Sequence, residues 1–269
     1  MIKRSLSALI GVPLVVIILV FGNTQIVDAV VSLITLIALH EFFNAFDSLK
    51  NIIILKLIAY FYAMLIAFIH IIPIEYIFII TIAMFPITLI TLFLCVIVSN
   101  MKYTIKDIAI VLFGICYIVF NIVFLSIIRN MENGKVLIWL VFMAAWGTDI
   151  FAYLIGRKFG KHKFSKISPN KSIEGCIAGV LGSVICMLIY ALICNKFLNV
   201  EFNYIFISSI AVILSIVGQI GDLAASSIKR YADIKDFSNI IPGHGGILDR
   251  IDSILFIAPI TYLFLLLIH

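Results

Sequence analysis

Charge is scarce in this sequence: 12% of its 269 residues are Asp, Glu, Lys or Arg, while 64% are hydrophobic. An average soluble domain carries about 25% charged residues, so this chain has too little polar surface to cover a water-facing fold. Cysteine is also sparse. Cys95, Cys116, Cys176, Cys186 and Cys194 all sit in apolar segments and form no CxxC pair, which excludes a disulfide or zinc framework and leaves them as small apolar packing residues. The short alternating segments of a membrane β-barrel are missing, as are internal repeats and low-complexity tracts.

What the sequence has instead is continuous Ile/Leu/Val/Phe runs of membrane-spanning length, roughly 20 residues each. Nine are expected, at 5–22, 27–47, 52–72, 74–99, 107–127, 136–156, 174–195, 204–228 and 249–268. The fold class they imply is an all-α polytopic bundle forming one membrane domain over 1–269, with 1–135 as scaffold and candidate dimerisation surface, and 136–269 carrying the chemistry. Ile72-Pro73 makes the third and fourth runs a tight hairpin; if they merge, the count falls to eight. The first run follows Met1-Ile2-Lys3-Arg4 like a signal peptide, but it lacks a small-residue cleavage site and more spans follow, so it reads as a retained helix.

Basic residues orient the chain, because cytoplasmic loops carry an excess of Lys and Arg. With nine spans and a cytoplasmic N-terminus, all of the 19 basic residues except Arg129, Lys135 and Lys196 fall on the inner side. One extra or missing span in the middle would scramble that pattern. Two inner loops are long: RKFGKHKFSKISPNKS at 157–172 and KRYADIKDFSNIIPGHGGIL at 229–248. Charge, glycine and proline concentrate there, which marks them as functional.

Acidic residues inside a membrane cost roughly 2.5–3.5 kcal/mol each and usually line a cavity. Asp149 and Asp222 each lie about two turns inside the cytoplasmic end of a run, on the order of 10 Å deep. Asp222, Ser226 and Lys229 share one helical face, with Gln219 a turn earlier. Asp249 and Asp252 open the last run, one turn apart. An acidic floor under a basic rim suits a hard cation such as Mg²⁺ and phosphate groups. Together with a glycine-rich loop, it points to metal-assisted phosphoryl or nucleotidyl transfer.

Each feature also has a plainer reading. Asp149 and Asp222 suit helix–helix hydrogen bonds, and Asp249 complements a helix dipole. The loop at 157–171 suits an anchor on anionic lipid, and His244 a tight turn. His40-Glu41 either lines the same cavity or bonds a neighbouring helix, and Asn121 reads as a helix–helix contact. An ion-coupled transporter is the alternative from another class, although transporters bind near the midplane between repeats.

The stretch Ser226-x-Ile228-Lys229-Arg230-x4-Lys235-Asp236-x-Ser238-x2-Ile241-Pro242-x-His244-Gly245-Gly246-Ile247-x-Asp249-Arg250-Ile251-Asp252 resembles the signature of the phosphatidate cytidylyltransferase family throughout. Asp149-x3-Tyr153-x2-Gly156-Arg157-x2-Gly160-x-His162, Ser168-Pro169-x-Lys171-Ser172-x-Glu174-Gly175 and Gly218-Gln219-x-Gly221-Asp222 look like the same family. One departure is Asp149-Ile150, where the family typically has a hydroxyl residue after the aspartate.

The resemblance implies transfer of CMP from CTP to phosphatidic acid, releasing pyrophosphate, by a metal-dependent membrane enzyme that tends to form a homodimer. The family's metal-binding aspartates match Asp222 and Asp249. Asp149 and Lys229 complete the expected catalytic group. Ser226, Arg230, Lys171, His244, Gly245, Gly246, Arg250 and Arg157 are expected to bind substrate. Mg²⁺ is the expected cofactor, and Asp149 is expected to position either a metal-bound water or a second cation. Membrane lipid is an expected partner and nucleic acid is not. The expected location is a bacterial plasma membrane with the site toward the cytoplasm. A related lipid-phosphate nucleotidyltransferase or lipid kinase is the nearer alternative.

Overall fold

The computed structural model describes residues 2–46, 52–100, 102–165, 167–169, 171–198, 200–241, 243 and 245–267. Among the described residues, ten α-helices follow one another: α1 (Ile2–Phe21), α2 (Thr24–Asn44), α3 (Ile53–Leu65), α4 (Ile74–Val98), α5 (Ile105–Gly114), α6 (Phe120–Asn130), α7 (Gly134–Phe159), α8 (Ile173–Phe197), α9 (Tyr204–Tyr231) and α10 (Leu248–Leu266). A 3₁₀ turn at Ile66–Ile71 lengthens α3, and a π-helical turn at Ile115–Val119 joins α5 to α6. The expected span at 107–127 is therefore one segment with a bulge. Asn121 explains how the bulge is tolerated: its Nδ2 donates to the carbonyls of Cys116 and Tyr117, both at 3.0 Å. This corrects the helix–helix reading of Asn121, which instead satisfies backbone acceptors of its own span.

Among the described residues, seven segments are long and apolar enough to cross a membrane: 24–44, 53–71, 75–98, 105–130, 134–159, 173–197 and 204–231. The first and last of the nine expected spans, α1 and α10, are helices of 20 and 19 residues outside this seven. In α10 the cause is visible, because Asp249, Arg250 and Asp252 crowd its first turns. Local chemistry sets four of the helix starts. Asn23, Ser172 and Asn203 accept backbone N–H groups at the N-termini of α2, α8 and α9, and Thr104 and Asp107 form a reciprocal capping box on α5. Large apolar side chains on α3 and α4, among them Phe61, Ile79, Phe85 and Ile90, face outward. That is costly in water and favourable in lipid.

The chain divides into two compact units. The first comprises 1–131 with 234–250; the second comprises 132–233 with 251–269. The sequence suggested a division at 135/136, with both long loops in the second part. The first unit packs around Phe42, Phe43, Leu55, Ile115 and Ile122, all fully buried. It also holds a buried polar cluster in which Asp28 accepts from Asn130 Nδ2 at 3.2 Å and meets His70 Nδ1 at 3.2 Å. The second unit is tied by hydroxyls: Thr148 Oγ1 donates to Ser215 Oγ at 2.7 Å, and Ser183 Oγ donates to the Ala211 carbonyl at 3.2 Å.

Candidate active site

In the second unit the sequence-marked charges converge. Asp222 stands on α9 and forms an ion pair with Lys171, the residue just before the Ser172 cap of α8. The loop that carries Lys171 is held rather than loose. Its Lys171 backbone accepts from Phe164 N at 3.0 Å and donates to the Ser168 carbonyl at 3.1 Å, while His162 Nδ1 meets Glu174 Oε1 at 2.6 Å. Asp252 on α10 is nearly buried and interacts electrostatically with Asp222, Lys229 and Asp149. Three carboxylates and two ammonium groups thus share one neighbourhood.

Gly221 is the reason Asp252 lies so close to Asp222. A Cβ on Gly221 would stand 2.7 Å from the Asp252 carbonyl oxygen, so α9 admits α10 there only with glycine. Gln219 adds a second tie, donating from Nε2 to the Cys176 carbonyl at 3.1 Å. Ser226 and Lys229 follow Asp222 along α9 and are half-buried, whereas Arg230 is exposed. Arg157, at the end of α7, is exposed and donates to the Tyr153 hydroxyl at 3.1 Å.

The first unit holds the glycine-rich loop. Gly243 and Gly245 adopt φ of 80° and 81°, and Ile241 N donates to the Gly245 carbonyl at 3.0 Å, closing a tight turn. Asp249 Oδ2 accepts from Phe237 N at 2.9 Å and from Gly246 N at 3.0 Å. Glu41, on α2, accepts from Ser238 Oγ, Ile247 N and Leu248 N. Of the two readings left open for Glu41, the bonded one is what the structure has. A Cβ on Gly245 would fall 2.9 Å from Asp249 Oδ2, and one on Gly246 would fall 2.5 Å from Glu41 Oε2. The resemblance marks these glycines as substrate-binding; here the space their Cβ atoms would need is taken by the protein's own carboxylates. Arg250 is exposed on α10, and His244 lies outside the described residues.

The chain matches the cytidylyltransferase family over residues 2–268. It belongs to the cytidylyltransferase family. Similar proteins include one from Staphylococcus haemolyticus (strain JCSC1435), 39% identical over 171 residues, and one from Bacillus subtilis (strain 168), 37% identical over 174 residues; both are named phosphatidate cytidylyltransferase. A third of that name, from Staphylococcus aureus (strain COL), is 38% identical over 171 residues. The staphylococcal alignments cover 63% of this chain and 64% of each relative, and the Bacillus alignment covers 64% and 63%. The chain thus matches a little under two thirds of those relatives' length.

For this cytidylyltransferase-family chain, the donors in the second unit are carboxylate oxygens, which suit a hard divalent cation. Among the described residues, no three His, Cys, Asp or Glu side chains stand where they could hold a metal by themselves. A cation held here would have to take most of its ligands from phosphate and water, a coordination that Mg²⁺ commonly has. Two residues that the sequence marked but that were not among the expected catalytic or substrate-binding set emerge from the geometry, Asp252 and Glu41. The first was visible as one turn from Asp249. The signal for the second was a carboxylate placed inside an apolar run.

Proposed function

We propose that this chain transfers CMP from CTP to the phosphate of phosphatidic acid, giving CDP-diacylglycerol and pyrophosphate, at a bacterial plasma membrane with its site toward the cytoplasm. The observation that carries the reading is the convergence of Asp222, Asp252 and Asp149 with Lys171 and Lys229 in a chain of the cytidylyltransferase family. The names of the relatives support the choice of lipid acceptor.

In this reaction an oxygen of the lipid phosphate attacks the α-phosphorus of CTP. A new P–O bond forms as the bond to the bridging α–β oxygen breaks, and pyrophosphate leaves with that electron pair. The nucleophile is already ionised, so no strong general base is required. The barrier is largely repulsion between anions, which positioned cations lower. Lys229 and Lys171 supply fixed positive charge to the triphosphate, and the exposed Arg230 and Arg157 supply it at the rim of the same unit; the resemblance adds Arg250 as a substrate-binding residue. Ser226 offers a hydroxyl donor on the Asp222 face. The sequence resemblance assigns a divalent cation to Asp222 and Asp249; when bound it neutralises phosphate charge and aligns the reactants. The same resemblance supports a homodimer.

Purified protein supplied with Mg²⁺, CTP and phosphatidic acid should yield CDP-diacylglycerol, identified by mass, with one pyrophosphate per lipid. Substituting ATP for CTP, or diacylglycerol for phosphatidic acid, should abolish the product. Phosphorylated lipid from diacylglycerol would instead establish a lipid kinase.

A further inference from the structure

Helix α10 begins at Leu248, and the residue before it, at the N-cap position, is Ile247, not Ser, Thr, Asp or Asn. The first N–H groups of a helix have no partner within it, and Ile247 has no side-chain acceptor to offer them. The structure meets this need from far along the chain. Glu41, 1% exposed on α2, accepts from Ile247 N at 2.9 Å through Oε1 and from Leu248 N at 2.7 Å through Oε2. Ser238 Oγ donates to the same Oε1 at 2.5 Å.

A buried carboxylate with fewer partners would be strongly disfavoured. Here three donors and the positive end of a helix dipole compensate it, and charge-assisted bonds of this length are the stronger kind. The bonded donors bracket the glycine turn, with Ser238 before it and Ile247 and Leu248 after it. Within the same loop, Asp249 Oδ2 gathers Phe237 N and Gly246 N. Fastening Leu248 at the helix start therefore fixes the backbone from which Asp249 projects. Gly246 completes the fit, since any Cβ there would collide with the Glu41 carboxylate.

We propose that Glu41 is a positioning residue: it caps α10 from another helix, fixes the loop Phe237–Leu248, and so sets the orientation of Asp249 for the transfer. This role rests on the reaction proposed above. Glu41→Gln keeps the shape but turns an N–H₂ group toward a backbone N–H donor, so one of the two helix-capping bonds is replaced by repulsion. Ser238→Ala removes a single donor on a half-exposed loop and leaves the buried carboxylate in place.

The test pairs hydrogen–deuterium exchange with kinetics on the full chain in lipid nanodiscs. In Glu41→Gln the amides of 245–249 should exchange at least tenfold faster, while those of α6 stay as in the wild type. Turnover of CTP and phosphatidic acid should fall at least tenfold in kcat, with KM for CTP changed less than threefold. Ser238→Ala should show the same pattern at a third or less of the logarithmic effect. Faster loop exchange with normal turnover overturns the positioning role, as does lost turnover with an unchanged loop. Loss of α6 protection in Glu41→Gln together with wild-type behaviour of Ser238→Ala makes Glu41 a core residue only, and also overturns it. No CDP-lipid from the wild type overturns the reaction itself, whereas a normal wild type with an unimpaired Glu41→Gln overturns the Glu41 role alone.

Discussion

Lys171 and Asp222 form an ion pair in which both side chains are partly exposed, at 24% and 33%. Pairs this accessible contribute roughly 0–1 kcal/mol to stability, so the pair is poorly explained as a staple. In the proposed reaction the lysine would serve phosphate and the aspartate a cation. Lys171→Met should lower kcat/KM for CTP more than tenfold, or about 1.4 kcal/mol of transition-state stabilisation, and shift Tm by under about 4 °C. A large fall in Tm with unchanged kcat/KM would make the pair structural.

Lys229 and Arg230 are neighbours in sequence but differ in setting. Lys229 is half-buried and interacts with Asp252, whereas Arg230 is exposed. Anchoring to a membrane surface needs only positive charge nearby, while phosphate binding needs it at one place. Lys229→Gln should lower kcat/KM by more than tenfold, and Arg230→Gln should have a milder effect. Equal and small effects at both limiting and saturating CTP would leave anchoring as the role of both.

Gly221 tests the approach of α10 to α9. Gly221→Ala directs a methyl group at the Asp252 carbonyl oxygen, a backbone atom that cannot step aside. Overpacking of this kind costs about 1–3 kcal/mol, and thermal unfolding should show it together with lost turnover. Gly11, which has nothing within 4 Å of its added Cβ, is the control: Gly11→Ala should leave both unchanged. Equal behaviour of the two variants would refute the close approach.

The distribution of Lys and Arg predicts a sidedness that labelling can test. On a cysteine-free background, Lys161→Cys and Ile240→Cys should react with an impermeant maleimide only from the cytoplasmic side, and Glu132→Cys only from the outside. Labelling of Lys161→Cys and Ile240→Cys from outside would overturn the orientation and the location of the site together.

Much of this arrangement was legible because membranes make charge conspicuous. Asp149, Asp222 and Asp249 stood out in apolar runs, and Lys171 and Lys229 stood out in the two long loops. Three features were hidden for physical reasons. The cap on α10 comes from Glu41, about two hundred positions earlier, and no local spacing rule reaches that far. The π turn at Ile115–Val119 leaves the apolar run unbroken, so Asn121 looked like a contact with another helix. The closeness of Asp252 to Asp222 depends on a missing Cβ at Gly221, which pattern alone does not reveal.

The central claim is that cytidylyl transfer occurs at this carboxylate site, and doubly labelled CTP tests it most directly. With label at the α- and γ-phosphorus distinguishable, and with Mg²⁺ and phosphatidic acid present, the wild type should place α-label in lipid and γ-label in pyrophosphate. Asp222→Asn and Asp249→Asn, folded by size-exclusion chromatography and thermal unfolding, should place neither label in lipid. Label from the γ position in lipid, or near-normal incorporation of α-label by either Asn variant, would contradict the account.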